Sequence, residues 1–435
     1  MTKKSKKIGV IGLWHLGSVL CASWSKLGYE IVGFDYDKNR VDNLLNGIPP
    51  VFEPELSEII NTGLNNQTLT FSNDLKSLID CDFILLSYDT PVDNNDSCDL
   101  TILEKSVVDA STVMKDNSIL IVSSQSPVGY CANLRKILIE NNETIELAYS
   151  PENLRLGEAI ECYLNPGRII LGTSNKMTEK KCLSLLTNIT DNILTMNIES
   201  AEVVKHGINS FLALSVVFAN NLSDICEESG ANINDVMKGL KSDPRIGEKA
   251  YLSPGIGFSG GTLGRDLKVL NDFNIKVSGS AKLFGNIHKT NLERKAVIVE
   301  KIMKILLAKK GKTVGILGLT YKPGTSTLRR SLPLEIVDLL IREKIKVKVY
   351  DPRADYSELN FETKFIITNN IEDVSKDIDL LILLTEWPEF KTFDWGLIKN
   401  NMNIPMIFDT KNFLDRKILK ENKFHYYSLG GYNNE

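Results

Sequence analysis

Histidine is scarce here, and the cysteines are badly spaced for a metal. The 435 residues hold four histidines and seven cysteines (Cys21, Cys81, Cys98, Cys131, Cys162, Cys182, Cys226), with no CxxC pair and no zinc-type Cys/His spacing. An odd number of thiols with no framework excludes a disulfide-stapled fold; reduced thiols of a cytoplasmic protein are expected, and no metal. No window approaches 18 uninterrupted apolar residues, so no transmembrane helix is expected. The basic KKSKK near the start runs straight into a strand pattern, without the apolar region or cleavage site of a signal peptide. Excess positive charge is missing too, the net charge being −4. Nucleic acid and membrane are therefore set aside as main partners. Low-complexity segments and short-period repeats are absent. What is there is an ordinary globular composition, 43% hydrophobic and 24% charged, enough for about three domains of roughly 150 residues.

Residues 7–12 (KIGVIG) read as a buried strand, 18–27 as a helix, and 29–34 as a second strand ending at Asp35. Strand, glycine turn, helix, strand, acid is a dinucleotide-binding unit. Gly12 makes the tight turn and Gly17 permits close helix–strand packing. Asp35, 23 residues beyond Gly12, is placed to take ribose hydroxyls and to favour NAD over NADP. The usual G-x-G-x-x-G is broken, since Gly12-Leu13-Trp14-His15-Leu16-Gly17 has Trp14 where a second glycine lets backbone approach a pyrophosphate. A strand–helix turn with no dinucleotide therefore stays open, and His15 reads as a turn residue.

Strands at 81–87, 118–123 and 145–150 each end in a proline turn, which collects polar groups at the carboxyl edge of a parallel sheet. Residues 202–228 turn helical and apolar on more than one face, as in a helix buried between domains or subunits. Lys205 and Asn209, four apart, share a face of it. Between 253 and 270 the chain reads SPGIGFSGGTLGRDLKVL, with five glycines in ten residues ahead of Arg265 and Asp266. Such a stretch suits a loop feeding a helix N-terminus, a place for anions and a positioned carboxylate. A flexible surface connection is the plainer alternative. A second strand–turn–helix–strand unit starts at 313–318 and closes at Asp351. The expected fold is α/β, with two Rossmann-like doubly wound parallel-sheet domains joined by a central helical domain. The expected divisions are 1–200 (NAD-binding), 201–308 (helical, dimerising) and 309–435 (nucleotide-sugar-binding).

Together these segments resemble the UDP-glucose/GDP-mannose dehydrogenase family over nearly the whole chain. The pieces that carry the likeness include VIGL…LG…GFD at 10–35, FEPEL at 52–56, DTP at 89–91, SPVG at 126–129 and SPENL…NPGRIILG at 150–172. They continue with AEVVKHGINSFLA at 201–213, DPRIGEKAYLSPGIGFSGGTLGRDLKVL at 243–270, GLTYKPGTSTLRRS at 318–331, VYDP at 349–352, LTEWPEF at 384–390 and FDTKN at 408–412. The resemblance implies NAD as cofactor, a homodimer, and oxidation of the C6 alcohol of a UDP- or GDP-sugar, normally twice, to the uronic acid. It places Glu152, Lys205, Asn209 and Asp266 where the family keeps its catalytic water, amine and acid. It gives Gly12, Trp14, Leu16, Gly17, Asp35, Thr90 and Arg329 to the cofactor. Asn153, Leu154, Arg245, Phe258, Gly260 and Lys322 fall to the substrate.

The likeness breaks where the second oxidation is done. The family traps its aldehyde with a cysteine thiolate in the glycine loop, and Thr262 stands in that place. A thiol ionises near pH 8.5 or below, whereas an aliphatic hydroxyl needs an adjacent base. Capping of the following helix is the structural reading of Thr262. Gln125, Leu156 and Arg265 also depart from the family's Thr, acid and Lys. Three readings follow: a dehydrogenase that delivers an aldehyde or another non-standard product, a homologue that binds nucleotide sugar or a partner without turnover, or a full four-electron enzyme using water or a thiol such as Cys162.

Overall fold

Residues 6–91, 93, 98–152, 154–259, 261–278, 282–359 and 363–431 are described by the computed structural model. The chain divides into two compact units, 1–207 and 208–435. The first is built on eight strands: β1 (Lys7–Ile11), β2 (Glu30–Phe34), β3 (Leu69–Ser72), β4 (Phe83–Leu86), β5 (Ile119–Val122), β6 (Glu146–Tyr149), β7 (Ile169–Thr173) and β8 (Ile193–Met196). They lie in the order β3-β2-β1-β4-β5-β6-β7-β8. FILL in β4 and ILIV in β5 are buried at every position, as strands covered on both faces must be. Pairing is parallel from β3 to β6, in register such as Ile11↔Phe34 and Ile11↔Leu86. The last two strands differ from the expected all-parallel sheet: β7 joins β6 antiparallel at Tyr149↔Gly172, and β8 follows β7 in parallel.

One face of this sheet is covered by α1 (His15–Lys26), which buries Val19, Leu20 and Trp24 with Ile8 and Val10. On the other, α2 (Tyr130–Asn141) buries Cys131, Leu134 and Leu138, the i, i+3, i+7 stripe of an amphipathic helix. Each such buried side chain is worth about 1.5–3 kcal/mol. The strand order runs one way from β1 to β2 and the other way from β1 to β4, which makes the carboxyl edge between β1 and β4 the switch point where sheets of this kind bind ligands.

Helix α3 (Ile198–Ser229) gives its first turns to this unit and the rest to the second. It is long and apolar enough to cross a bilayer, but its most apolar window is more than half buried inside the protein. The buried Glu202, Lys205, His206, Asn209 and Asn220 along it mark a core helix. The second unit continues with α4 (Thr262–Ser278) and α5 (Leu283–Ala308). A six-stranded parallel sheet follows, of β9 (Thr313–Leu317), β10 (Lys346–Tyr350), β11 (Ile366–Ile367), β12 (Leu380–Leu383), β13 (Met406–Asp409) and β14 (His425–Ser428), ordered β11-β10-β9-β12-β13-β14. The break in order again falls beside its first strand.

Candidate active site

Gly12 ends β1 with φ +92°, a conformation that disfavours any residue with a Cβ. A Cβ on Gly17 would lie 1.7 Å from the Gly12 carbonyl oxygen, so α1 can start this close to β1 only with glycine there. Trp14 is the N-cap of α1, makes no side-chain cap bond, and is 45% exposed rather than packed into the turn. With no acid in its first turn, α1 keeps its leading N–H groups for an anion such as a pyrophosphate. Leu16 packs toward the first core, and buried Thr90 donates its hydroxyl to the Gln125 carbonyl (2.9 Å), tying the loops after β4 and β5 together.

Asp35 is buried at the end of β2, and all its acceptor sites are in use. Oδ2 accepts from the Leu13 N–H (2.7 Å) and Arg40 Nη1 (2.8 Å), while Oδ1 accepts from the Asp37 N–H (3.0 Å) and the Tyr88 hydroxyl (3.2 Å). A carboxylate offers about four lone-pair sites, so a ribose hydroxyl reaches Asp35 by displacing one of its two side-chain partners. Arg40 also pairs with Asp37 at 3.5 Å, which commits its charge to two carboxylates. These residues fit a dinucleotide: open helix N-terminus, close-packed glycine turn and terminal acid. The second unit repeats the turn with Gly318 (φ +85°) and Asp351, but there Asp351 is closed over by Leu319, Thr320 and Trp387.

The start of α3 braces the loops after β5 and β6. Glu202 accepts from the Gly129 and Cys131 N–H groups (2.6 and 2.9 Å), capping α2, and His206 Nε2 meets the Ser126 carbonyl at 2.8 Å. Lys205, buried between them, donates to the Glu152 carbonyl at 2.6 Å. Burial pushes the Glu152 carboxyl up to about 7, and the Lys205 charge offsets part of that rise. Leu154 packs against the first core, and Asn153 lies outside the described residues.

In the second unit Asn209 donates to Asp266 Oδ2 at 2.5 Å, and Asp266 is wholly buried. Arg265 is buried beside it, with Nε 3.8 Å from Oδ1. The expected catalytic set thus appears as two pairs, each inside its own unit, while Lys205 and Asn209 stand one turn apart on α3. Thr262 is exposed at the first position of α4, and among the described residues no base holds its hydroxyl. Gly257 has φ +110°, Phe258 is partly buried, and Gly260 falls outside the described residues. Arg245 is exposed and gripped by Asp243 (3.0 and 2.7 Å). Lys322 Nζ sits 5.8 Å over the Tyr321 ring, and exposed Arg329 gives its N–H to Glu358.

Several partners escape sequence reasoning. Arg40 and Tyr88 on Asp35 carry no spacing signal. Glu53 of the FEPEL segment was legible as a motif without a task. It is buried against His15 Nε2 (2.9 Å) and accepts from the Gly157 and Ala159 N–H groups (3.1 and 2.7 Å), joining the start of α1 to the loop after Glu152. Among the described residues no group of three His, Cys, Asp or Glu side chains is arranged to hold a metal ion.

Comparison with known proteins finds relatives over nearly the whole chain. Three models of the UDP-glucose/GDP-mannose dehydrogenase family match: the NAD binding domain over 6–190, the central domain over 199–293 and the UDP binding domain over 315–416. The UDP-glucose 6-dehydrogenase of Rickettsia prowazekii is 32% identical over 430 residues, covering 97% of this chain and 99% of that protein. UDP-glucose 6-dehydrogenase TuaD of Bacillus subtilis is 30% identical over 431 residues, 98% and 93% of the two chains. The solved UDP-glucose dehydrogenase of Pyrobaculum islandicum shares the fold, with a TM-score of 0.86 at 23% identity over 99% of each chain.

Proposed function

The chain belongs to the UDP-glucose/GDP-mannose dehydrogenase family and is an NAD-dependent oxidoreductase of CH–OH groups; from that premise we propose that it oxidises a UDP-linked hexose at C6 and stops at the aldehyde. When bound, NAD would supply the hydride acceptor for C6, held at the glycine turn of Gly12 and Gly17 with Asp35 beside it. In its neutral form Lys205, which donates to the Glu152 carbonyl, takes the hydroxyl proton as the hydride leaves and becomes the ammonium, which balances the step to an aldehyde. The observation that carries the stopping point is Thr262, an exposed hydroxyl with no base among the described residues, at the position the resemblance gives to a thiolate. Without a covalent adduct the second hydride must come from a water hydrate, which removes the family's route to the acid. The reading as a binding protein without turnover is not favoured, because the chain matches the family's NAD binding and UDP binding domains and is 32% identical to a UDP-glucose 6-dehydrogenase over 97% of its length.

In this reading 1–200 holds NAD, 201–308 dimerises and 309–435 binds the nucleotide sugar. A homodimer is supported by Phe211, Phe218 and Ile225, which stand exposed at seven-residue spacing along α3. The seven cysteines are free thiols, in keeping with a cytoplasmic protein. The test of the substrate is NADH formation across a panel of UDP- and GDP-hexoses. Turnover of UDP-glucose or another UDP-hexose supports the reading; turnover of GDP-sugars alone, or of none, defeats it.

A further inference from the structure

Sequence alone leaves the glycine stretch between a binding loop and a loose connection. In the structure its entry is held by buried side chains from two helices. Asn220 of α3 accepts the Gly255 N–H at 2.7 Å, and Arg294 of α5 donates Nε to the Gly255 carbonyl at 3.2 Å. The same guanidinium is fixed by Asp224 (2.5 Å) and Ser223 Oγ (3.2 Å). Three residues before Arg294, on the same face of α5, Asn291 makes two bonds to one backbone unit. Its Oδ1 accepts the Phe258 N–H at 2.8 Å and its Nδ2 donates to the Phe258 carbonyl at 2.9 Å. This reciprocal pair, of the kind one strand gives another, also fixes which way the amide points.

The neighbouring glycine follows from this contact. Gly257 adopts φ +110°, and a Cβ there would lie 2.7 Å from Asn291 Oδ1. At the far end, Asn209 holds Asp266, so Asn209 and Asn220, eleven residues or about three turns apart on one face of α3, grip both ends of the stretch. Asn220, Asn291 and Arg294 are each buried to 5% exposure or less, which leaves little freedom to any of them.

We propose that Asn291 is a positioning residue of the reaction: by locking Gly257 and Phe258 it presets the loop that receives the nucleotide sugar. This rests on the family resemblance, which gives Phe258 in the 253–270 stretch to the substrate. Ordering is thereby done before the substrate arrives, so its cost is not charged to binding.

Residue-resolved hydrogen exchange on the full protein without ligand tests the lock. The Phe258 amide should exchange about tenfold or more slowly than that of Ser259, because only a bonded, buried amide is protected. In Asn291→Ala that protection should vanish, while the rest of α5 keeps its own. Asn291→Asp, which retains the acceptor and loses the donor, should fall between. By calorimetry the alanine variant should bind UDP-glucose about tenfold or more weakly and NAD within about twofold of the unaltered protein. Equal exchange at Phe258 and Ser259 in the unaltered protein would overturn the proposal, and needs no variant to fold. So would a parallel loss of UDP-glucose and NAD affinity with falling Tm, the mark of a merely structural residue. If the unaltered protein does not bind UDP-glucose, the substrate reading falls, and the exchange data alone decide the lock.

Discussion

Lys205 donates to the Glu152 carbonyl, and burial raises the Glu152 carboxyl to about 7; in the proposed reaction that carboxyl governs the pH response. Below about 7 it is neutral, and above that it is an acceptor for protons. As a partner in proton removal it should make kcat/KM rise about tenfold per pH unit up to that point and then level off. Glu152→Gln should lose this limb, and an unchanged profile in that variant would refute the assignment. The sign for stability is opposite: a carboxyl whose folded value lies above its unfolded one favours folding while protonated. That stability is lost between the unfolded value of 4.5 and about 7, and the glutamine variant should not show the loss. Lys205→Ala should cut kcat by about 10²–10⁴-fold, the usual share of one general base. Unchanged turnover there would mean another group takes the proton. At this scale spacing picks out Gly12, Gly17, Asp35 and the shared face of Lys205 and Asn209, because spacing is what a turn or a helix face fixes, while the roles of Glu152 and Asp266 come from the family resemblance alone. It does not name Arg40, Tyr88 or Glu53 as partners, because those meetings depend on how separate elements pack.

Helix α3 is where single residues become a scaffold. Its Glu202, Lys205 and His206 fall at i, i+3 and i+4 and reach the two loops after β5 and β6 at the edge of the first sheet. Removing the Glu202 carboxylate strands two N–H groups at the start of α2, so Glu202→Ala should cost about 2–3 kcal/mol. Thermal unfolding should read this as a drop of several degrees for a unit of this size. A shift near zero would show that water replaces the cap without penalty. The strands of the first sheet were largely legible, since FILL and ILIV can hide both faces only inside a covered sheet. The reversal at β7 was not, because IILGT is equally apolar read in either direction and the choice lies in the 150–168 connection. Strands β3 and β14, LTFS and HYYS, are too short and too polar to stand out.

For the whole molecule, the order of two nucleotide-binding sheets about a helical segment was legible as two periodic units and a long change of period. How the long helix is used was less so, since an apolar run suits a core, a subunit face or a membrane alike. If the stripe of Phe211, Phe218 and Ile225 joins two copies, Phe211→Asp with Phe218→Asp should give a monomer by light scattering. A dimer that survives both changes would place the contact elsewhere. The central claim, that this dehydrogenase makes one oxidation where its family makes two, is tested by counting NADH per UDP-hexose consumed, with the product identified by mass. The account predicts one NADH and a C6 aldehyde from the unaltered protein, and a rise toward two with Thr262→Cys. Two NADH and a uronic acid from the unaltered protein would contradict it.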